Sequence, residues 1–415
     1  MNAIPLNAVP TSTAGGQVSP ALAKSPVAGR RRTVLIATDT YPPDVNGAAY
    51  FSHRLAGGLA ARGAEVHVVC ASDQGPSRTE IMDGVVVHRL RSVPLLVHPT
   101  MRVSVPAGLG RTLSRLIEQV GPQVVHVQGH FVVGRAAVGA ARRMRLPVVA
   151  TNHFMPDNLF QFGHIPAWLR ERAGQVAWHD FRRVFARADR ITAPTRIAAG
   201  LLFDKGFTRE VEAVSCGIDL HRFQPQPQQW ARQRFELADR PTILFVGRLD
   251  EEKRLDELVR ALPHVLDHVD AQAVLVGTGG KRPVLERLAA RIGVGERVRF
   301  LGFVPDADLP QVYSAADVFA MPGIAELQSI ATLEAMASGL PVVAADAMAL
   351  PHLVADNGHL YQPGDVRELA RHLTAILTSA ELRASMAKAS LALAATHDHQ
   401  HSLARFEAIY AELAA

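Results

Sequence analysis

Four charged residues stand out for what they could hold. Glu326 and Glu334 lie in "AELQSIATLEAMASGLPVVAAD" (325–346), and Arg248 and Lys253 lie in "VGRLDEEKRLDELVRAL". A carboxylate can accept paired hydroxyl hydrogen bonds. Two cations beside a helix start can clamp a diphosphate, because charge-assisted bonds add to the helix dipole. Each assignment has a plainer counterpart. Glu326 can serve the dipole of a first helical turn and Glu334 a solvated face, although Leu333, Ala335 and Met336 beside it argue against solvation. Arg248 and Lys253 can pair with Asp250, Glu251 and Glu252.

Other segments carry weaker signals. "TYPPDVNGAAYF" (40–51) runs from a turn straight into a helix, so amides near Gly47 and Ala48 could cradle an anion, or form a simple Asn-Gly turn. The glycines of "VLVGTGGKR", Gly277 first, allow either a ligand or close packing. His126 and His153 each end a strand and could line a cleft or sit satisfied in a core. "HDHQH" (397–401) has the composition of a metal tract but no carboxylate scaffold, and reads as surface histidines. The DxD of "PDADLP" precedes a helix and reads as its N-cap rather than a metal site.

The elements that must position these residues follow from the hydrophobic pattern. "PVVAA" is an unalternating β-branched run, as a buried parallel strand requires. The segment from Ala331 to Ser338 is rich in helix formers, with Gly339 and Pro341 ending it. "DVFAMPG" is a strand closing in a turn, so Glu326 falls on the following loop and Glu334 inside the short helix after it. Both then face the carboxyl edge of a parallel sheet, where doubly wound folds bind ligands.

The same grammar runs along the chain. "TVLIAT", "EVHVVCA", "VVVHRL", "QVVHVQ", "PVVATNH" and "RITAPT" alternate with helical stretches near 109–120 and 133–144. A second series, "TILFVGR", "AQAVLVG", "VRFLG", "DVFAMP" and "PVVAA", follows "SCGIDLHRFQP". The fold class is therefore α/β, with two Rossmann-like, doubly wound domains facing a central cleft. Expected boundaries are a disordered Pro/Ala/Ser/Gly-rich tail at 1–32, an N-terminal domain at 33–214, a C-terminal domain at 215–396, and a helix at 397–415 that could cross back to the first domain.

Composition narrows the classes. A chain of 415 residues can build two cores, and its 48% hydrophobic content includes no run long enough for a membrane span. Two cysteines, Cys70 and Cys216, make no disulfide framework and suit a reducing cytoplasm. The net charge of +5, without a basic stripe interleaved with aromatics, gives no support to nucleic-acid binding. No GxGxxG turn follows either first strand and no GxxxxGK[ST] occurs, which excludes dinucleotide and P-loop chemistry of the usual kinds.

Taken in order, "TYPPDVNGAA", "ITAPT", "CGIDLHRF", "FVGRLDEEKRLDELVRAL", "LVGTGG", "VRFLGFVPDADLPQVYSAADVF" and "AELQSIATLEAMASGLPVVA" resemble the family-four, group 1 retaining glycosyltransferases of GT-B architecture. The resemblance spans nearly the whole chain from Thr33. It implies that Glu334 holds the ribose hydroxyls of a nucleotide and that Glu326 contacts the donor sugar. It places amides around Gln328, Ser329 and Ile330 near sugar and diphosphate, Arg248 and Lys253 on the diphosphate, and Gly47 against the phosphates. His126 and His153 carry over as candidates for the catalytic cleft. The sequence departs from the family where Gln328-Ser329 follows the first glutamate and where His126-Val127-Gln128 replaces a His-x-His, which bears on donor and acceptor choice.

The resemblance further implies a metal-independent hexosyl transfer that needs no cofactor beyond the nucleotide-diphosphate sugar. The acceptor would be a membrane lipid of diacylglycerol or phosphatidylinositol type, or another cell-envelope glycoconjugate. The protein would be cytoplasmic, peripheral on the inner face of the plasma membrane. Two basic, apolar stretches suit contact with an anionic membrane: "RSVPLLVHPTMRVSVP", and the segment bearing Trp168, Trp178, Phe181 and Phe185, whose aromatics could equally pack a core. A nucleotide-sugar epimerase and a non-catalytic sugar-nucleotide-binding protein are the alternatives.

Overall fold

The computed structural model describes residues 32–95, 98–154 and 167–415. The tail expected over 1–32 lies, Arg32 excepted, outside them. Both domains belong to one compact unit, Arg32–Ala415.

The N-terminal lobe is built on β1 (Thr33–Ala37), β2 (Glu65–Ala71), β3 (Arg78–Met82), β4 (Val85–Leu90), the hairpin β5 (Ser92–Leu95) and β6 (His98–Ser104), then β7 (Val124–Val127), β8 (Val148–Thr151), β9 (Arg190–Ala193) and β10 (Glu212–Ala213). Its main sheet has the order β10-β9-β8-β7-β1-β2-β4-β3, parallel except where β3 runs antiparallel to β4. The C-terminal lobe holds β11 (Thr242–Val246), β12 (Gln272–Val276), β13 (Val298–Gly302), β14 (Val318–Met321), β15 (Val342–Ala345) and β16 (Gly358–Tyr361) in the order β13-β12-β11-β14-β15-β16, parallel throughout. Two doubly wound sheets of this kind make a GT-B architecture.

Period-2 geometry explains the first lobe's two cores. Val34 and Ile36 of β1 enter a layer with Phe51, Leu55 and Leu59, whereas Leu35 and Ala37 enter the opposite layer with Val133 and Phe181. The helix His399–Ala414 buries Leu403, Phe406, Ile409 and Tyr410 in the first of these layers, so the chain's last helix completes the N-terminal lobe.

One expectation changes here and one alternative is decided. "RSVPLLVHPTMRVSVP" is largely the β5–β6 hairpin rather than a loop, and its Arg102 is occupied by Ser72 O and Ser92. In the Ala167–Phe185 helix, Trp178, Phe181 and Phe185 are buried in the lobe's core, and among its described side chains Val176 is the exposed large apolar residue. Those aromatics therefore face the protein rather than a membrane. The side chain of Trp168 falls outside the described residues. Among the described residues no helix is long and apolar enough to cross a membrane.

Candidate active site

The loop after β14 and the loop after β11 meet at their carboxyl ends. Lys253 Nζ is bound to Glu326 Oε1, and these side chains are only 15% and 14% exposed. Lys253 belongs to a 3-10 turn, Glu251–Lys253, and left-handed Arg254 separates it from the Leu255–Leu266 helix, so it precedes the helix start expected for it. The backbone joins the two loops again where Ile324 N donates to Glu252 O at 3.0 Å. Arg248 donates to Asp250 Oδ2 at 2.5 Å and Glu252 Oε1 at 2.6 Å. The plainer expectation of local acidic partners thus holds for Arg248, while Lys253 reaches across to the other loop.

Gly277 has φ of 124°, and a Cβ there would lie 2.0 Å from Gly247 O. The strand ends of β11 and β12 can approach only because this side chain is missing. That is the packing reason for the glycine.

Glu326 leads into Gln328, Ser329 and the Ile330–Ala337 helix. Gln328 Oε1 accepts from Cys216 N at 2.7 Å and its Nε2 donates to Ser215 Oγ at 3.0 Å, so its side chain ties this loop to the connection between the lobes. Ser329 Oγ accepts from Thr332 N, a cap that stands ahead of the first amides of the helix. Four residues past Ile330, Glu334 is 8% exposed and accepts from Tyr313 at 2.8 Å. Burial pushes its carboxyl up to about 7, against the pull of Arg54, the Tyr313 bond and Arg222, and with Asp306 adding to the rise. It is therefore no solvated helix face. Tyr313 and Arg54 were not legible as site residues, since neither sits in a motif near the glutamate.

From the facing lobe, Gly47 begins the Gly47–Ala61 helix. Asn46 Oδ1 accepts from Ala49 N, and a Cβ on Gly47 would lie 4.0 Å from Ile330 Cδ1. Gly47 and the start of the Ile330–Ala337 helix therefore stand opposite one another.

The histidines are placed differently. His126 is 0% exposed, with Nδ1 2.6 Å from Tyr410 Oη and Nε2 2.6 Å from Thr151 Oγ1. Both ring nitrogens are engaged inside the lobe, and burial holds the ring down to about 3. The geometry corrects the expectation that it lines the cleft: it is a core histidine. His153 Nε2 meets Gln128 Oε1 at 2.9 Å and its ring packs 4.6 Å from that of Phe51; burial holds it, too, down to about 3. A neutral ring so placed is a poor proton acceptor at neutral pH.

Two further expectations are corrected. His397 is half-buried rather than fully exposed: Nδ1 is 2.9 Å from Ser215 Oγ, and burial pushes the ring down to about 4. In "PDADLP", Asp308 precedes the Leu309–Ser314 helix without a side-chain capping bond, and Asp306 instead pairs with Arg222 at 2.6 Å. Among the described residues no cluster of His, Cys, Asp or Glu suits a metal ion.

Two family models cover the lobes: glycosyltransferase family 4 matches residues 45–222 and glycosyl transferases group 1 matches residues 228–392. The chain is 30% identical over 382 residues to a D-inositol 3-phosphate glycosyltransferase of Nocardia farcinica, covering 86% of this chain and 83% of the relative. It is 27% identical over 333 residues to an alpha-monoglucosyldiacylglycerol synthase of Streptococcus pneumoniae, covering 78% and 74%. The crystal structure of Anabaena HepE with UDP-glucose superposes with a TM-score of 0.73 at 22% identity, covering 92% of this chain and 100% of that one. The two lobes, the residues that meet between their strand ends, and these likenesses lead to one conclusion: the chain belongs to the family-four, group 1 glycosyltransferases.

Proposed function

We propose that the protein moves a hexose from a nucleotide-diphosphate sugar to an acceptor hydroxyl with retention at the anomeric carbon and without a metal ion. The observation that carries this reading is the pairing of Lys253 with Glu326 where the loops after β11 and β14 meet, with Arg248 in the first loop and the Ile330–Ala337 helix following Glu326 in the second. Two cations and a helix N-terminus can offset the charge of a diphosphate. Glu326 can accept from sugar hydroxyls while Lys253 holds it in place. Glu334 can accept from the ribose hydroxyls, and Gly47 leaves room for phosphates beneath the facing helix.

The donor bond would break through an oxocarbenium-like state. Arg248, Lys253 and the helix amides would stabilise the charge that develops on the departing diphosphate, a role of the oxyanion-hole type. The acceptor hydroxyl would approach on the face that the diphosphate leaves, with the leaving phosphate taking its proton. His126 and His153 are assigned no proton transfer in this scheme.

The acceptor reading is a lipid hydroxyl of the diacylglycerol or phosphatidylinositol type, or another envelope glycoconjugate. The names of the two relatives support it, one being named for the glucosylated diacylglycerol it makes and the other for an inositol phosphate, which shares the headgroup chemistry of phosphatidylinositol. It places the protein in the cytoplasm, against the inner face of the membrane when it works. The test is mass spectrometry of purified protein given UDP-, GDP- and ADP-sugars with and without membrane lipid extract. A new glycolipid with free nucleoside diphosphate is expected. Consumption of donor with only the sugar isomer changed would identify an epimerase instead. In the same assay Arg248→Ala should lower turnover by about 100-fold or more while leaving the fold intact. Wild-type turnover in that variant would remove the diphosphate clamp.

A further inference from the structure

The helix Gly47–Ala61 presents Gly47, Tyr50 and Arg54 at i, i+3 and i+7, one face of a helix. Gly47 faces Ile330 across the cleft, and Ile330 packs against the core layer to which this helix belongs. Glu334 stands one turn beyond Ile330, as Arg54 stands two turns beyond Gly47. The starts of the two helices thus meet from opposite lobes, and Arg54 comes within electrostatic reach of Glu334.

Arg54 is unusual in its own right. Its Nε and Nη2 are shielded from solvent yet have no hydrogen-bond partner. A guanidinium in that state costs free energy unless a negative charge offsets it. Glu334 is the buried carboxylate on which its charge acts. We propose that Arg54 is a positioning residue of the opposite lobe that keeps Glu334 ionised, so that capture of the donor's ribose depends on the two lobes being together. This rests on the reading of Glu334 as the ribose-binding carboxylate.

The physical reason is that an ionised carboxylate offers both oxygens purely as acceptors, the stronger partners for a pair of hydroxyls, whereas protonation turns one oxygen into a donor. Burial raises the Glu334 carboxyl, and of the groups that oppose this rise Arg54 is the largest. The other groups facing Glu334 come from its own lobe: Tyr313 and Asp306, which is paired with Arg222. Tyr50, on the same helix as Arg54, also senses Glu334, Asp306 and Arg222. The strands β14 and β15 beneath carry no titratable residue. The Ala380–Ala395 helix behind offers Ser390 to Leu340 O, while its Arg383 is bound to the carbonyls of Ile376 and Leu377. Within the facing lobe Arg54 is therefore the cation available to Glu334, and separating the lobes would remove it.

The test uses wild type, Arg54→Met, Glu334→Gln and the double variant. Thermal melting from pH 5 to 9 needs no ligand. A carboxyl raised to about 7 in the fold gives stability that is present at low pH and lost as pH rises through 7. Arg54→Met should move that loss upward by ~1 pH unit, and Glu334→Gln should erase both the loss and the effect of Arg54→Met on it. Arg54→Lys should shift it less, and replaces Arg54→Met if that variant folds poorly. Calorimetric titration with UDP and GDP should show wild-type affinity falling below about pH 7 and the Arg54→Met curve displaced to higher pH. Coincident curves for wild type and Arg54→Met, or an Arg54→Met shift undiminished by Glu334→Gln, would overturn the proposal. Coupling in the melts with no UDP or GDP binding to wild type at any pH would overturn the donor reading and the ribose half of this one, leaving the charge pair.

Discussion

The Lys253–Glu326 pair sets the energetic balance of the candidate site. Both groups are mostly withdrawn from water, so the attraction between them has to offset part of the hydration they lose. On the proposed mechanism, replacing Lys253 by alanine should lower kcat by about 100-fold, because one of the two cations assigned to the diphosphate is lost. It should also lower the melting temperature modestly, since Glu326 then stands without its partner. Steady-state kinetics and a melting curve on the same preparation check both; unchanged kcat with lowered stability would make the pair structural. The charged residues were legible because their chemistry is written in their type. Their pairing was not, since Lys253 and Glu326 are far apart in sequence and only the adjacency of β11 and β14 brings them together. His126 was misleading for a related reason. A histidine at a strand's carboxyl end looks catalytic until Tyr410, from the far end of the chain, closes over it.

At the scale of elements, the hydrophobic pattern marked the buried parallel strands well. Runs such as Val342–Ala345 have no polar face, which is the signature of a strand covered on both sides. The pattern missed β3 and the β5–β6 hairpin, whose alternation or proline content is that of exposed edges. It also missed β16, because Gly358–Tyr361 carries a glycine and a histidine. There, a Cβ on Gly358 would lie 1.9 Å from Val342 O, so close strand approach overrides propensity. The connection between lobes shows the same constraint. Gly217 has φ of 71°, and a Cβ on it would lie 2.5 Å from His399 Cα. Gly217→Ala should destabilise the fold by about 1–3 kcal/mol. Gly200→Ala, inside the Arg196–Asp204 helix with nothing near the added Cβ, should stabilise by about 0.5–1 kcal/mol. Urea unfolding of the two variants checks the opposite signs.

Across the whole molecule, buried neutral histidines tie the first lobe's stability to pH. His126 and His130 are held down to about 3 and about 4 by burial, while an unfolded chain protonates them near 6.5. The unfolded state thus binds more protons between those limits, so stability is full at neutral pH and is lost as pH falls from 6.5 toward 3. Melting temperatures measured over that range should drop steeply, and His126→Asn should flatten the slope even though it costs stability at pH 7. A slope unchanged by that variant would mean that other groups govern the acid transition.

The crossing of the final helix has another consequence. Residues 33–213 leave the ribosome first, and domains ordinarily fold in the order they are made. Here the layer that holds Val34, Ile36 and Phe51 lacks Leu403, Phe406, Ile409 and Tyr410 until the last sixteen-residue helix has been synthesised. The lobe begun first is finished last. During translation it must wait with part of its apolar interior uncovered, and a message cut short before that helix would damage the older lobe as well as the newer one.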